Sequence, residues 1–346
     1  MKALVFGGSG LRAWTDVPDP VIEDPRDVII RVDAVTICGT DLHILKGDVP
    51  TVEPGRILGH EAVGTVVDVG RAVSGLAAGD KVLASCISAC GTCRYCRQGS
   101  YGQCLGGGGW ILGHRVDGVQ AQYARLPFAD LSTYRLPHNV PDEAAVMLAD
   151  ILPTAYEVGV LNGQVRPGDT VAIVGAGPIG LAAVLTARLY SPSHIVVVDK
   201  VARRLEAAKR LGADITVTPD GDPLEVIRAV THGLGADVAI EAVGVPETFE
   251  LCTSLVRPGG HIANVGVHGQ PATLHLEELW IRNVTITTGL VDTHSTPTLL
   301  TMLGAGQLNV GDMVTHRFRF DDFMRAYDVF ADAAQTGALK VALTPS

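Results

Sequence analysis

Three things are scarce in this chain: basic charge, cysteine and long uninterrupted apolar runs. Lys and Arg total 27 against 37 Asp and Glu, a formal net charge of −10. Phosphate binding is led by basic patches, so this balance argues against a nucleic-acid partner. The N-terminus, MKALVFGGSG, has one lysine followed by the apolar run ALVF, too short for the core of a secretory signal. One stretch, residues 171 to 190, has the apolarity of a membrane span. Pro178, a glycine turn and Arg188 interrupt it, so it reads as a buried strand followed by a helix, and no membrane partner is expected. Cysteines number 7, an odd count, and a reducing cytosol disfavours disulfides. A cytoplasmic protein with thiols free for other work is the expectation.

What is abundant is glycine, 40 residues in a chain that is 47% hydrophobic, which points to a globular protein without a long disordered tail. The length of 346 residues suits two domains, each with its own core.

The scarce cysteines are unevenly spread: four of them fall within CGTCRYCRQGSYGQC, residues 90 to 104. Cys90, Cys93 and Cys96 are separated by two-residue gaps and Cys104 follows. Such gaps let one turn of chain present successive sulfurs to one centre, and the fourth thiolate closes the tetrahedron that zinc prefers. The spacing is not the C-x2-C-x2-C-x3-C-P run of iron–sulfur proteins. Four thiolates leave no open coordination position, so an ion held here is structural and the chemistry must lie elsewhere.

A second constellation begins with Cys38 in TICGTDLH, where the strand-like run VIIRVDAVTI gives way to a turn. GHEAVGTVVDVGRAV follows at residues 59 to 73, opening with His60 and Glu61. Taken singly, a lone Cys or His is more often core filler than a ligand. With the pattern G-H-E-x2-G-x5-G-x2-V, GDKV at 79 to 82, the cysteine lobe and a later GxGxxG, the chain resembles the zinc-containing medium-chain alcohol dehydrogenases over essentially its whole length.

The resemblance implies an α/β protein, a GroES-like mainly-β catalytic domain plus a Rossmann doubly wound parallel sheet. It implies that Cys38 and His60 are catalytic zinc ligands, and that Asp150, in MLADILPTAYE, fills a slot where many relatives have cysteine. Aspartate there resembles the tetrameric secondary-alcohol dehydrogenases, which often lack the lobe that this chain keeps. Three protein ligands leave the fourth position for water or substrate, where the ion favours an alkoxide or polarises a carbonyl. Thr40 and His43 occupy the family's proton-relay positions, and histidine suits the solvent end because it titrates near neutral pH. Asp41 is expected to orient a ligating histidine, and Glu61 to sit behind the ion and enter its shell transiently.

The cofactor reading rests on TVAIVGAGPIGLAAVLTARL, a strand, a glycine turn and a helix. Gly175, Gly177 and Gly180 form G-x-G-x-x-G, which allows a tight turn, backbone approach to a pyrophosphate and close helix–strand packing. Pro178 opens the helix, whose positive end faces the phosphates. Asp199 follows Gly175 by 24 residues and suits the adenosine ribose hydroxyls, favouring NAD(H) over NADP. By resemblance, Arg204 contacts that ribose, Thr154 and Ile179 lie near the nicotinamide, and Lys340 reaches a cofactor phosphate.

The expected domains are residues 1–152 with 291–346, carrying a structural zinc lobe at 86–106, and an inserted NAD-binding domain at 153–290. Trp110 is the expected pocket aromatic, with Leu290 to His294 as a further wall, while His114, His268 and Cys252 read as structural. One catalytic and one structural Zn2+ per chain are expected, with a small or medium alcohol or carbonyl substrate and a homotetramer or homodimer. A polyol dehydrogenase is the nearest alternative, an aldehyde-dismutating enzyme would need long insertions not seen here, and a non-catalytic zinc module is the alternative from another class.

Overall fold

A computed structural model describes residues 1–346. The chain forms two compact units, Met1–Asp150 with Val291–Ser346, and Ile151–Leu290. The first break falls two residues earlier than the sequence suggested.

The first unit is mainly β. Its larger sheet runs, in spatial order, Val314–Arg319, Lys340–Thr344, Val28–Thr36, Ala62–Val69, Lys81–Ala84 and Thr133–Arg135, with Tyr123–Leu126 also paired to Val28–Thr36. The strand Val28–Thr36 is the hub. Its sequence VIIRVDAVT is apolar on nearly every residue, and all but Arg31 and Asp33 are buried, as expected for a strand covered on both faces. Ile30, Val32, Leu58, Leu126, Phe323, Tyr327 and Val341 pack into one core cluster around it. The helix Phe323–Ala331 closes one side, with Phe323 stacked on Trp14 at 4.7 Å between ring centroids. The last strand pairs antiparallel with the hub, Ala342 opposite Thr36 and Leu343 opposite Val35. Its first residue, Lys340, is thereby delivered next to the hub's C-terminal end.

The second unit is a six-stranded parallel sheet. In spatial order its strands are Ile215–Val217, His194–Val198, Thr170–Val174, Ala236–Glu241, Val256–Asn264 and Thr285–Thr288. That is the 3-2-1-4-5-6 order of a dinucleotide-binding sheet. Thr170–Val174 is buried along its entire length, the mark of a parallel strand with helices on both faces. Helices Pro178–Ala187, Ala202–Arg210, Pro223–Val230 and Pro246–Leu255 supply the crossovers. The stretch 171–190, read as a strand followed by a helix, forms Thr170–Val174 and Pro178–Ala187.

Helical turns running from Asp142 to Leu161 are long and apolar enough to cross a membrane, a feature the sequence reading did not single out. The most apolar window is 72% buried, as in a core helix of a folded protein.

Candidate active site and metal centres

The catalytic cluster starts where the hub strand ends. Cys38 is the N-cap of the helix Gly39–Lys46, with extended φ and ψ of −107° and 157°. Asp41, three residues on, returns its Oδ2 to accept from the Cys38 amide at 2.9 Å. A capping box thus sets the direction of the Cys38 side chain. Gln120 donates from Nε2 to the same Oδ2 at 3.0 Å, and Tyr327 donates its hydroxyl to Gln120 Oε1 at 2.7 Å. Asp41 is therefore fixed from three elements.

His60 follows Gly59, whose φ is +94°. A Cβ at Gly59 would stand 2.4 Å from Gln120 Cγ, so only glycine allows this turn to lie against Gln120. His60 is 4% exposed. Its Nε2 lies 3.3 Å from Asp150 Oδ2, and its Nδ1 faces Asp41 Oδ1 at 3.9 Å. Cys38 Sγ is 3.8 Å from Asp150 Oδ2 and 3.7 Å from Thr40 Oγ1. One ligand atom from each of Cys38, His60, Glu61 and Asp150 lies within 4.8 Å of the others.

The residues fit a divalent cation. Desolvation, then the Glu61 charge, pushes the Cys38 thiol up. Desolvation opposes a charged His60, yet hydrogen bonds with Asp150 and Cys38 outweigh it and raise this imidazole well above its ordinary value. The His60 shift reflects the acidic donors that face it. Asp41 Oδ1 and Glu61 Oε1 are buried with no hydrogen-bond partner, which is costly unless a cation stands nearby. Zn2+ suits sulfur, imidazole nitrogen and carboxylate together.

Lys340 lies inside the unit: it is 1% exposed, with Nζ 2.5 Å from Glu61 Oε2. Nζ also lies 3.4 Å from Thr36 Oγ1 and 3.3 Å from the Ile37 carbonyl. The pairing of its strand with the hub forces this, because residue 340 enters the interior beside Thr36. A lysine inside the apolar run ALKVAL, buried without a break from Ala338 to Leu343, was the available signal.

Trp110 stands beside His60, 6.3 Å between ring centroids at 75°. His114, read from the sequence as merely structural, stacks on Trp110 at 4.5 Å and bonds Thr51 Oγ1 at 2.7 Å. His43 is partly exposed, its Nδ1 2.8 Å from Asp48 Oδ2. Cys86 is a buried thiol pushed well up by desolvation and the nearby Asp150 charge, a residue that no motif singles out.

The second centre is built differently. The sulfurs of Cys90, Cys93, Cys96 and Cys104 lie within 4.8 Å of one another, and all seven cysteines are free thiols. Backbone amides converge on them: Cys96 and Leu105 donate to Cys93 Sγ at 3.5 and 3.4 Å, and Cys90 donates to Cys104 Sγ at 3.4 Å. Desolvation resists ionisation of Cys90, but hydrogen bonds from Thr92 and Cys93 draw it down to about 6. Burial and its neighbouring thiols push Cys96 up to about 12. Four sulfurs this close cannot all ionise without a cation between them. The GGGG run at 106 to 109 belongs to this lobe: a Cβ at Gly106 would stand 2.5 Å from Cys90 Sγ, and one at Gly108 2.2 Å from the Ser88 carbonyl.

In the second unit, the strand Thr170–Val174 opens into Gly175, and Gly177 caps the helix Pro178–Ala187 with proline at its first position. A Cβ at Gly180 would stand 1.8 Å from the Gly175 carbonyl, whereas one at Gly177 meets nothing within 4 Å. The third glycine packs the helix onto the turn, and the second leaves open space for a ligand. Asp199 Oδ2 accepts from the Ala176 amide at 2.7 Å and Oδ1 from the Val201 amide at 2.8 Å. Arg204 lies 4.0 Å from Asp199 Oδ2. Ile179 is in the first turn of the helix and Thr154 ends the turn Ile151–Thr154.

With this geometry in place, comparison with known proteins gives the class. Residues 24–142 match the alcohol dehydrogenase GroES-like domain, and residues 178–304 match the zinc-binding dehydrogenase family. An alcohol dehydrogenase of Cupriavidus necator is 36% identical, covering 100% of this chain and 99% of the relative. The zinc dependent alcohol dehydrogenase 2 of Streptococcus pneumonia, solved in apo form, is 48% identical with a TM-score of 0.96, covering 100% and 99%. An alcohol dehydrogenase of Escherichia coli CFT073, solved with NADH, is 27% identical with a TM-score of 0.90, covering 99% of each. The chain belongs to the zinc-containing medium-chain alcohol dehydrogenase family. It is a zinc-dependent alcohol dehydrogenase linked to NAD(P), and a non-catalytic zinc module is set aside.

Proposed function

We propose that the enzyme interconverts small or medium primary and secondary alcohols with their aldehydes or ketones, using Cys38, His60 and Asp150 as the catalytic zinc ligands. The observation that carries this reading is their convergence, three unlike donors within 4.8 Å of one another. Bound there, zinc supplies Lewis acidity to the substrate oxygen while nicotinamide exchanges the hydride.

The chain's own residues do the rest. Thr40, 3.7 Å from Cys38 Sγ, offers its hydroxyl to accept the substrate's alcohol proton. His43, steered by Asp48, passes a proton on to solvent. Asp41 orients His60 so that Nε2 faces the other ligands. Trp110 forms the apolar wall. Cys90, Cys93, Cys96 and Cys104 hold a structural zinc, because four thiolates close the coordination shell.

In the cofactor unit, Gly175, Gly177, Pro178, Ile179 and Gly180 form the pyrophosphate turn, with Thr154 on the nicotinamide side. Asp199 and Arg204 bind the adenosine ribose. Asp199 already accepts two amides, so its charge is fixed where a 2′-phosphate would be repelled, and NAD is the preferred cofactor.

A polyol substrate is the second reading, favoured because a carboxylate oxygen of Glu61 also falls within the ligand cluster. Leu276, Trp280 and Ile281 are more than 60% exposed and precede the edge strand Thr285–Thr288, which supports self-association into a dimer or tetramer. Seven free thiols support a cytoplasmic setting.

Initial rates with primary, secondary and polyhydric alcohols, each with NAD and with NADP, test the reading at the NADH absorbance. A secondary or primary monoalcohol with NAD is expected to give the highest kcat/KM. A polyol preference replaces the first reading with the second, and no alcohol turnover by zinc-loaded enzyme overturns both.

A further inference from the structure

Two neighbouring strands of the parallel sheet end in the same tripeptide. AIEAVGV closes the strand Ala236–Glu241, and IANVGVHG closes Val256–Asn264. Glu241 pairs opposite Asn264 on one side and opposite Val174 on the other. Both loops therefore leave the carboxyl edge of the sheet beside the Gly175 turn, where the strand order reverses and a dinucleotide lies. Glycine brings them together. A Cβ at Gly244 would stand 2.3 Å from the Val267 carbonyl oxygen, and one at Gly266 2.3 Å from Glu241 Oε2. Val243 and Val267, one from each loop, are exposed.

A buried polar cluster joins the two loops. Glu241 is 0% exposed. Its Oε1 accepts from the Val243 and Gly244 amides, each at 2.9 Å, and from the Thr248 hydroxyl at 2.7 Å, which folds the first loop. Its Oε2 is buried without a hydrogen bond and faces His268 Nε2 at 3.5 Å. That nitrogen lies 3.0 Å from Asn264 Oδ1, while the Asn264 amide donates to the Gly266 carbonyl at 3.0 Å. The Asn264 oxygen is thereby the acceptor, and His268 Nε2 carries the hydrogen. The helix Pro246–Leu255 supplies no counter-charge. Its Phe249 meets the imidazole edge-on, and its Cys252 is a buried thiol pushed well up by desolvation and then by the Glu241 charge. A buried carboxylate oxygen without a donor is costly, and the imidazole is the group that offsets it. Backbone bonds from Val265 and Gly266 to the Glu241 carbonyl start the second loop, and past Gly266 the tie passes to side chains.

We propose that His268 is a positioning residue for the cofactor: with Asn264 and Glu241 it ties the two Val-Gly-Val loops together and fixes the surface that receives the nicotinamide half of NAD(H). This rests on the assignment of the glycine turn and Asp199 to the pyrophosphate and the adenosine ribose. The nicotinamide half then falls to the other side of the reversal, where Ala236–Glu241 and Val256–Asn264 end. Without the imidazole, Oε1 still folds the first loop, but the second loop loses its hold on Glu241.

The test uses full-length, zinc-loaded enzyme. NADH binding is read by nicotinamide fluorescence, and the adenosine half alone by competition with AMP. Wild-type enzyme is expected to bind both, and failure to bind either overturns the cofactor assignment itself. In His268→Ala the dissociation constant for NADH rises about tenfold, equivalent to about 1.4 kcal/mol, while that for AMP stays within about twofold. Hydrogen exchange of cofactor-free protein, followed by mass spectrometry, speeds up in peptides spanning 242–248 and 264–269 and is unchanged across 170–187. His268→Gln, whose amide still donates toward Asn264 and Glu241, recovers most of the lost affinity, which a general loosening of the fold would not allow. If His268→Ala does not fold, Asn264→Ala cuts the same tie and moves both readouts in the same direction. Equal weakening of NADH and AMP overturns the inference. So does unchanged NADH affinity, unchanged exchange in the two loops, or a His268→Gln variant no better than His268→Ala.

Discussion

The two cysteine-bearing centres lie in the same unit, yet they are built on opposite plans. The lobe is four like donors within a single loop, 15 residues from first to last, its sulfurs fixed by backbone amides of the same loop. The buried centre is three unlike donors from positions 38, 60 and 150, with Asp41 bracing Cys38 and facing His60 while Gln120, from a distant loop, holds Asp41. A closed set of thiolates makes a rivet. A mixed set with one position left over makes a reagent.

The comparison breaks most sharply at Asp150. Asp150→Ala is expected to lower bound zinc from two ions per chain to one and kcat by on the order of 10³-fold, about 4 kcal/mol of transition-state stabilisation. Metal analysis and steady-state rates on the same preparation check it, and full activity with only the lobe zinc would refute the assignment. Cys93→Ser should also remove one ion, but with the reverse signature. Its Tm is expected to fall by about 5–10 °C while kcat per folded molecule stays within about twofold, read by calorimetry and active-site titration.

Thiol chemistry sharpens the contrast. In metal-free protein Cys90 is drawn down to about 6 and Cys96 pushed up to about 12, so thiolate is present at Cys90 above pH 6 and absent at Cys96 across the neutral range. Iodoacetamide at pH 7 is therefore expected to label Cys90 well ahead of Cys96, and zinc should protect both. Peptide mass mapping distinguishes this from equal labelling. The smallest effect is at the relay. His43→Asn should lower kcat by about tenfold, and added imidazole as a diffusible base should restore part of it, as steady-state rates would record.

How much could be read without coordinates follows from the same contrast. The lobe was legible because its information is local: spacing alone brings the sulfurs together. The GxGxxG turn was legible for the same reason, and the 1.8 Å approach of a Gly180 Cβ to the Gly175 carbonyl shows the physical demand behind the pattern. Cys38, His60 and Asp150 needed the family pattern, because nothing in their separations of 22 and 90 residues implies contact. Their supports were not legible. Gln120 reaches Asp41 across 79 positions, Tyr327 reaches Gln120 across 207, and Lys340 reaches Glu61 across 279. The place of Lys340 beside Glu61 was not legible because it follows from the pairing of its strand with Val28–Thr36, which no local pattern announces. The glycine run at 106 to 109 is the floor on which Cys90 and Cys104 rest, a role its sequence does not announce.

The C-terminal strand carries one more consequence, for the order of assembly. A chain leaving the ribosome has every ligand of the lobe soon after residue 104, and closing so short a loop costs little entropy. The buried centre can collect its metal donors by residue 150, but its carboxylate lacks a counter-ion until Lys340–Thr344 emerges and docks against Val28–Thr36. Nascent protein should therefore be able to complete the lobe during synthesis, whereas the buried ion pair of Glu61 forms only once the last strand has emerged.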